Sequence, residues 1–226
     1  MTGESVAERV GAVRARIASA ARAAGRAPSE IRLVAATKTQ SVAAIEEVIA
    51  AGVHDVGENR AQELVAKAAA LAHVHPVWHF IGRLQRNKIN QLAPWVESWE
   101  SIDRRELADA LAARVPGAAV LVEVNVAAEA QKGGCSVADA PALVDHLREL
   151  GLRVDGLMTV APAVGDPRPV FAGLRELAGR LELVELSMGM SGDFEAAIAE
   201  GATRVRIGTG LFGLRPTFPQ FPDSGR

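Results

Sequence analysis

Tyrosine is absent from all 226 residues, and cysteine occurs once, at Cys135. A lone cysteine excludes an internal disulfide and suits a reducing compartment, so the expected location is the cytoplasm. No apolar run is long enough to span a bilayer. The stretch from Met1 to Arg16 carries Glu4, Glu8, Arg9, Arg14 and Arg16 where a secretory leader would be apolar. Excess charge is small as well, at a formal −2, which argues against a general binder of nucleic acid or anionic membrane. One absence is local. The first strand-like run ends in Thr37-Lys38-Thr39-Gln40, without glycine, so the phosphate-binding fingerprint of an open doubly wound sheet is missing.

What is present is 49% hydrophobic residues in a regular alternation. Val6, Val10, Val13 and Ile17 recur at helical spacing, so Val6 to Ala24 reads as an amphipathic helix stopped by Gly25 and Pro28. Strands are expected at Ile31 to Lys38, His54 to Glu58, Val77 to Gly82, Ser98 to Ile102 and Ala119 to Val126. Three more are expected at Val154 to Val160, Leu183 to Ser187 and Arg204 to Ile207. A helical pattern follows each of the first seven, with Ser41 and Asp139 as N-caps of two of them. No linker divides the chain, which predicts one domain over 1–226 with an irregular tail at 214–226. Alternating strand and helix gives a parallel sheet, and eight repeats at this length predict an α/β fold, a closed (β/α)8 TIM barrel with an extra N-terminal helix.

In such a barrel the carboxyl ends of the strands share one rim, where functional groups collect. Period-two alternation puts Val34, Ala36 and Lys38 on one face, with the small Ala36 leaving room beneath the amine. Lys38 reads either as an amine poised to form a Schiff base or as a side chain that reaches out to a carboxylate. Asn59 follows strand two, His79 lies near the end of strand three, and Met158 ends strand six. After strand seven, Ser191, Gly192 and Asp193 open a helix; after strand eight come Gly208, Thr209 and Gly210. Two adjacent small-residue loops in that place read as an oxyanion cradle, where one loop alone would read as glycines making a tight turn. Strand eight neighbours strand one, so an amine and a phosphate cradle face each other. The ligand that needs both is pyridoxal 5′-phosphate. Arg206, between the apolar Val205 and Ile207, points inward. It suits the pyridine nitrogen, an ion pair with Glu123, or both.

Several segments carry a resemblance. They are VAATK at Lys38, DVGENRAQE at Asp55 to Glu63, WHFIGRLQRNK at Trp78 to Lys88, GLMTVAP at Gly156, SMGMSGDFEAAI at Ser187 and VRIGTGLFG at Val205. Together they resemble the pyridoxal phosphate homeostasis protein family, also called proline synthase co-transcribed proteins, from the first helix to Gly213. The resemblance implies a monomeric, fold-type III barrel like the N-terminal domain of alanine racemase. It implies that Lys38 carries the cofactor, that Arg206 sits by its ring nitrogen, and that Ser191, Gly192, Gly208 and Thr209 hold the phosphate. Asn59, Met158 and His79 complete the expected cofactor site. Gln40, Arg60 and Gly192 depart from residues common in that family.

Function then divides between a carrier and an enzyme. A two-base racemase of the alanine racemase design needs a tyrosine and a second domain, and neither is expected here. An unprotonated ring nitrogen also weakens the cofactor as an electron sink. The expected protein is therefore a non-catalytic one that holds pyridoxal phosphate reversibly and delivers it, with transient contact to apoenzymes that need it. The alternative is a pyridoxal-phosphate-dependent amino-acid racemase, with His79 as substitute base. No metal is expected, because His73 and His75 lack the spacing and the fourth ligand of a zinc site. Arg83, Arg86 and Lys88 read as a solvated helix start. Cys135 reads as inert, although nearby Lys132 could lower its pKa; Lys132 is also a candidate aid to transfer.

Overall fold

The computed structural model describes residues 4–213. Helix α1 (Val6–Ala23) starts at a reciprocal cap: Glu8 N donates to Ser5 Oγ and Ser5 N to the Glu8 carboxylate, at 3.2 and 2.7 Å. It buries Val6, Val10, Val13, Ile17 and Ala21, and its chain reverses at Gly25 with φ of +69°. Strands β1 (Arg32–Ala36), β2 (Asp55–Glu58), β3 (Val77–Phe80) and β4 (Val96–Ile102) follow, then β5 (Ala119–Glu123), β6 (Arg153–Met158), β7 (Glu185–Ser187) and β8 (Arg204–Ile207). All neighbours are parallel and the order closes from β8 back to β1. The seam pairs Arg32 with Arg204 and Ala35 with Ile207.

Helices α2 (Val42–Ala50), α3 (Ala61–Ala70), α4 (Ile89–Leu92), α5 (Arg105–Ala112), α6 (Ala140–Glu149), α7 (Arg168–Arg180), α8 (Phe194–Ala199) and α9 (Thr209–Phe212) each follow a strand. Their apolar stripes cover the outward strand residues, such as Ala35, Val56, Phe80, Val122, Val205 and Ile207. Helix α1 packs on α8 and α9. Arg9 Nε donates to Leu211 O at 2.7 Å, and Arg16 pairs with Glu195. The extra helix thus braces the seam where first and last strands meet.

The barrel interior is polar. His79, Ser98, Glu100, Ser187, Arg204 and Arg206 are all buried, on four strands. Room for them comes partly from glycine: a Cβ on Gly156 would lie 1.9 Å from Glu185 O, and one on Gly57 would meet Val34 and Ile81.

Strand ends are shorter than their apolar runs. The expected strand through Lys38 stops at Ala36 because Thr37 to Gln40 fold into a turn. The one expected through Gly82 stops at Phe80. Asp139 precedes α6 as expected, but its side chain makes no cap bond. It accepts instead from Ser136 Oγ, and that hydroxyl takes the Asp139 N–H. The tail at 214–226 lies outside the described residues.

Candidate functional site

Lys38 sits in the turn after β1, and Gly57 of β2 with Glu63 and Lys67 of α3 hold that turn in place. Thr37 N and Oγ1 donate to Gly57 O. Thr37 O accepts from Lys67 Nζ at 2.9 Å, and Thr39 N donates to Glu63 Oε2 at 3.1 Å. Thr39 has φ of +65°, which a β-branched residue adopts only when its surroundings impose it. Lys67 is itself buried, between Glu58 Oε2 at 2.6 Å and Glu63 Oε2 at 3.0 Å. Both carboxylates that a lysine here would seek are therefore taken by Lys67. Among the described residues Lys38 makes no hydrogen bond and no ion pair, so the carboxylate-paired alternative finds no partner there.

Lys38 lines a cavity of about 260 Å³ with Ala36, Gln40, Met190, Ser191, Gly192, Arg206, Gly208, Thr209 and Gly213. The wall opposite the amine comes from the loops after β7 and β8. Ser191 Oγ accepts from Gly210 N at 3.2 Å, which ties one loop to the other. Among the described residues, the N–H groups of Ser191, Gly192, Gly208 and Thr209 have no hydrogen-bond acceptor. A Cβ on Gly208 would come within 3.3 Å of Ala36 O, so glycine keeps the two strands close there. Asp193 caps the loop by accepting from Met190 N.

Arg206 is 5% exposed, and burial lowers its pKa from the usual arginine range. Two of its five N–H donors are used, by Nη1 to Ser187 Oγ at 2.7 Å and by Nη2 to Thr159 O at 2.8 Å. The other three have no acceptor among the described residues, although the side chain borders the cavity. A buried guanidinium with spare donors is unfinished without an acceptor from a ligand. The expected ion pair with Glu123 is not formed. Glu123 is half-buried near the mouth, where burial first and Asp103 second push its carboxyl up to about 7.

The remaining expected residues lie elsewhere. His79 is fully buried in the barrel core, with Nδ1 2.6 Å from Glu100 Oε1 and Nε2 2.9 Å from Asp55 Oδ1. Burial disfavours its charge, but the two carboxylates outweigh that and raise its pKa. Both ring nitrogens are engaged, so His79 does not face the cavity. Met158 is buried at the end of β6, in register with Glu123 and Ser187, and it is not a wall of the cavity either. Asn59 follows β2, anchored by Asn59 N to Glu58 Oε1 at 2.8 Å, and its side-chain Oδ1 is buried without a partner. Lys132 is pinned to Glu129 and to the carbonyls of Val160 and Ala161. Cys135 is not activated by it: burial, then Asp103, push the thiol up to about 12.

Sequence reading gave no site role to Lys67, Gln40, Met190, Ser187 or Glu100. Lys67 had a signal, since it stands three residues after Leu64 and one before Ala68 on the apolar face of α3. Ser187 and Glu100 had none, because their partners lie 87 residues apart in the chain.

Larger clefts exist, one of about 440 Å³ at the opposite rim between α1 and β1. Its two near arginine donors, on Arg14, are spent on the carbonyls of Ala51 and Gly52. Among the described residues the mouth cavity joins an unpaired amine, four unbonded N–H groups and a guanidinium with spare donors. That donor set fits a flat, phosphorylated heteroaromatic aldehyde, which is pyridoxal 5′-phosphate in outline.

Comparison with known proteins agrees with this outline. The family model described as alanine racemase, N-terminal domain, matches residues 9–216. The pyridoxal phosphate homeostasis protein of Pseudomonas aeruginosa is 45% identical, with 93% of this chain and 96% of that protein covered. The protein of the same name from Aquifex aeolicus is 44% identical over 92% and 97%. PipY of Synechococcus elongatus, solved with pyridoxal phosphate bound, is 33% identical with a TM-score of 0.80, over 92% of this chain and all of PipY. Alanine racemase of Corynebacterium glutamicum shares the fold alone, at 16% identity and a TM-score of 0.63, over 92% of this chain and 62% of its own.

Proposed function

From its membership of the pyridoxal phosphate homeostasis protein family, to which this chain belongs, we propose that it holds pyridoxal 5′-phosphate reversibly on Lys38 and buffers or delivers it. The observation that carries this is the single cavity shared by the unpaired Lys38 amine and the unbonded N–H groups of Ser191, Gly192, Gly208 and Thr209. When bound, the cofactor supplies an aldehyde that exchanges readily between amines. Lys38 is the amine that takes it, and the two loops take the phosphate through backbone donors and the Thr209 hydroxyl. Arg206 donates to the ring nitrogen and keeps that nitrogen unprotonated. Asn59 Oδ1, buried without a partner, stands by as a polar group near the ring.

The reading is of a carrier without robust catalysis. Protected carbanion chemistry is favoured by an electron-withdrawing ring, a second acid–base group and exclusion of water. A guanidinium at the nitrogen weakens the first. The sequence offers no tyrosine, and His79, the substitute base, is locked between Asp55 and Glu100. Lys38 itself is exposed, so an incoming amine can reach it. Recipients are apoenzymes that use the cofactor, met transiently by one barrel acting as a monomer in the cytoplasm. Among the described residues no helix is long and apolar enough to cross a membrane.

Borohydride reduction of the loaded protein followed by peptide mass spectrometry tests this directly. The expected result is a pyridoxyl adduct on Lys38, absent from Lys38→Ala. An adduct on another lysine, or none, refutes it. Loaded protein incubated with L-alanine and L-serine in deuterated water should show no α-carbon exchange at useful turnover; sustained exchange would establish the racemase instead.

A further inference from the structure

Arg206 carries a full charge into the barrel, yet no carboxylate lies within ion-pair distance of it among the described residues. Its charge is met one step away. Ser187 Oγ accepts from Arg206 Nη1 at 2.7 Å and donates to Glu100 Oε2 at 2.5 Å. Glu100 Oε1 takes His79 Nδ1 at 2.6 Å and Arg204 Nη1 at 3.1 Å. Burial opposes the Glu100 charge, but His79, Arg204 and Arg206 more than offset it and hold the carboxyl down to about 2. Beyond these, Asp55 accepts from His79, and Glu185 accepts from Arg204 Nε at 2.8 Å. With His79 protonated, Asp55, Glu100 and Glu185 face His79, Arg204 and Arg206, and the more exposed Arg32 reaches Asp55 at 3.7 Å, so opposite charges nearly balance. A charge-balanced array whose inner members are hydrogen-bonded is what a low-dielectric interior tolerates; each member restricts the next, and the spare donors are left at its Arg206 end.

We propose that Ser187, Glu100 and His79 are positioning residues that fix the Arg206 guanidinium opposite the ring nitrogen of the bound cofactor. This rests on the functional reading above. The hydroxyl of Ser187 is the joint: it is the one group that touches both the guanidinium and the carboxylate. Without it, Nη1 loses its acceptor and Arg206 keeps only Thr159 O, about which it can swing away from the ring. The phosphate donors are backbone N–H groups of the loops after β7 and β8, and Lys38 lies after β1, so none of these contacts uses the Ser187 hydroxyl.

Two ligands separate these contributions. 4-Deoxypyridoxine 5′-phosphate keeps ring nitrogen and phosphate but has no aldehyde, and glycerol 3-phosphate keeps only the phosphate. In Ser187→Ala, and independently in Glu100→Gln, the ring analogue should bind about tenfold more weakly while glycerol phosphate binding is unchanged, the loss expected for one hydrogen bond to a charged group. Ser187→Thr, which retains the hydroxyl, should restore the analogue's affinity. The ¹⁵N shift of the ring nitrogen in bound pyridoxal phosphate should move toward the protonated form in Ser187→Ala and stay in place in Ser187→Thr. An unchanged analogue affinity and ring-nitrogen shift in folded Ser187→Ala overturns the proposal, and so does an equal loss for both ligands. Failure of the wild-type protein to bind pyridoxal phosphate at all would overturn the functional reading, and this one with it.

Discussion

Glu123 illustrates how a single residue at the mouth records its surroundings. Its carboxyl sits near 7 because burial and Asp103 outweigh the attraction of Arg206 and Arg83. A raised carboxyl titration means that the folded chain resists ionisation, so stability is lost as pH climbs from about 4.5 to 7. Glu123→Gln should therefore be more stable than wild type by about 1–3 kcal/mol at pH 8, and equal to it at pH 4. Urea unfolding at the two pH values measures this. At the same scale, Lys38, Arg206, Ser191, Gly192, Gly208 and Thr209 were legible because each stands at a strand end, and they line one cavity. His79 and Met158 were expected with them; both are buried and neither lines that cavity. Depth is decided by strand register, which no local pattern reports.

At the scale of elements, the turn after β1 depends on α3 more than on its own residues. Thr37 to Gln40 has no glycine and includes a threonine at positive φ, a conformation costing about 1–3 kcal/mol on its own. Lys67 and Glu63 stabilise it by capturing Thr37 O and Thr39 N. Lys67→Met leaves Glu58 buried without a cation, which should lower stability by about 3–5 kcal/mol. The paired change of Lys67→Met with Glu58→Gln should recover a large part of it. Thermal melts of the three variants provide the measurement; full recovery of cofactor trapping on Lys38 is not expected, since the turn still lacks its clamp. The strands and helices were legible from periodicity, and their order followed. Their ends were not: the strand expected to run through Lys38 stops at Ala36, because the turn at Thr37 to Gln40 is fixed by distant residues. What stops β1 is a lysine 30 residues away.

For the whole molecule, the barrel interior is a charge ledger instead of an oil drop. His79 has a raised pKa, so its contribution is full in acid below its unfolded value and is lost as pH rises through the folded one. Glu100 behaves oppositely: its contribution is full above about 4.5 and is lost as pH falls toward 2. Stability should therefore fall on the acid side as pH drops through that window, and decline again on the alkaline side. In Glu100→Gln the acid limb should flatten, read by circular dichroism melts across pH. The closed topology itself could be read from eight alternating repeats. The charged interior could not, because its partners come from β2, β3, β4, β7 and β8 and meet only after closure.

The seam between β1 and β8 has a last consequence, for timing. Lys38 leaves the ribosome early, while Gly208 and Thr209 are among the last residues of the barrel to emerge. A half-made chain owns the hook but not the socket. If Lys38 takes the aldehyde as proposed, a partial chain should exchange it freely, and retention should require the loops after β7 and β8.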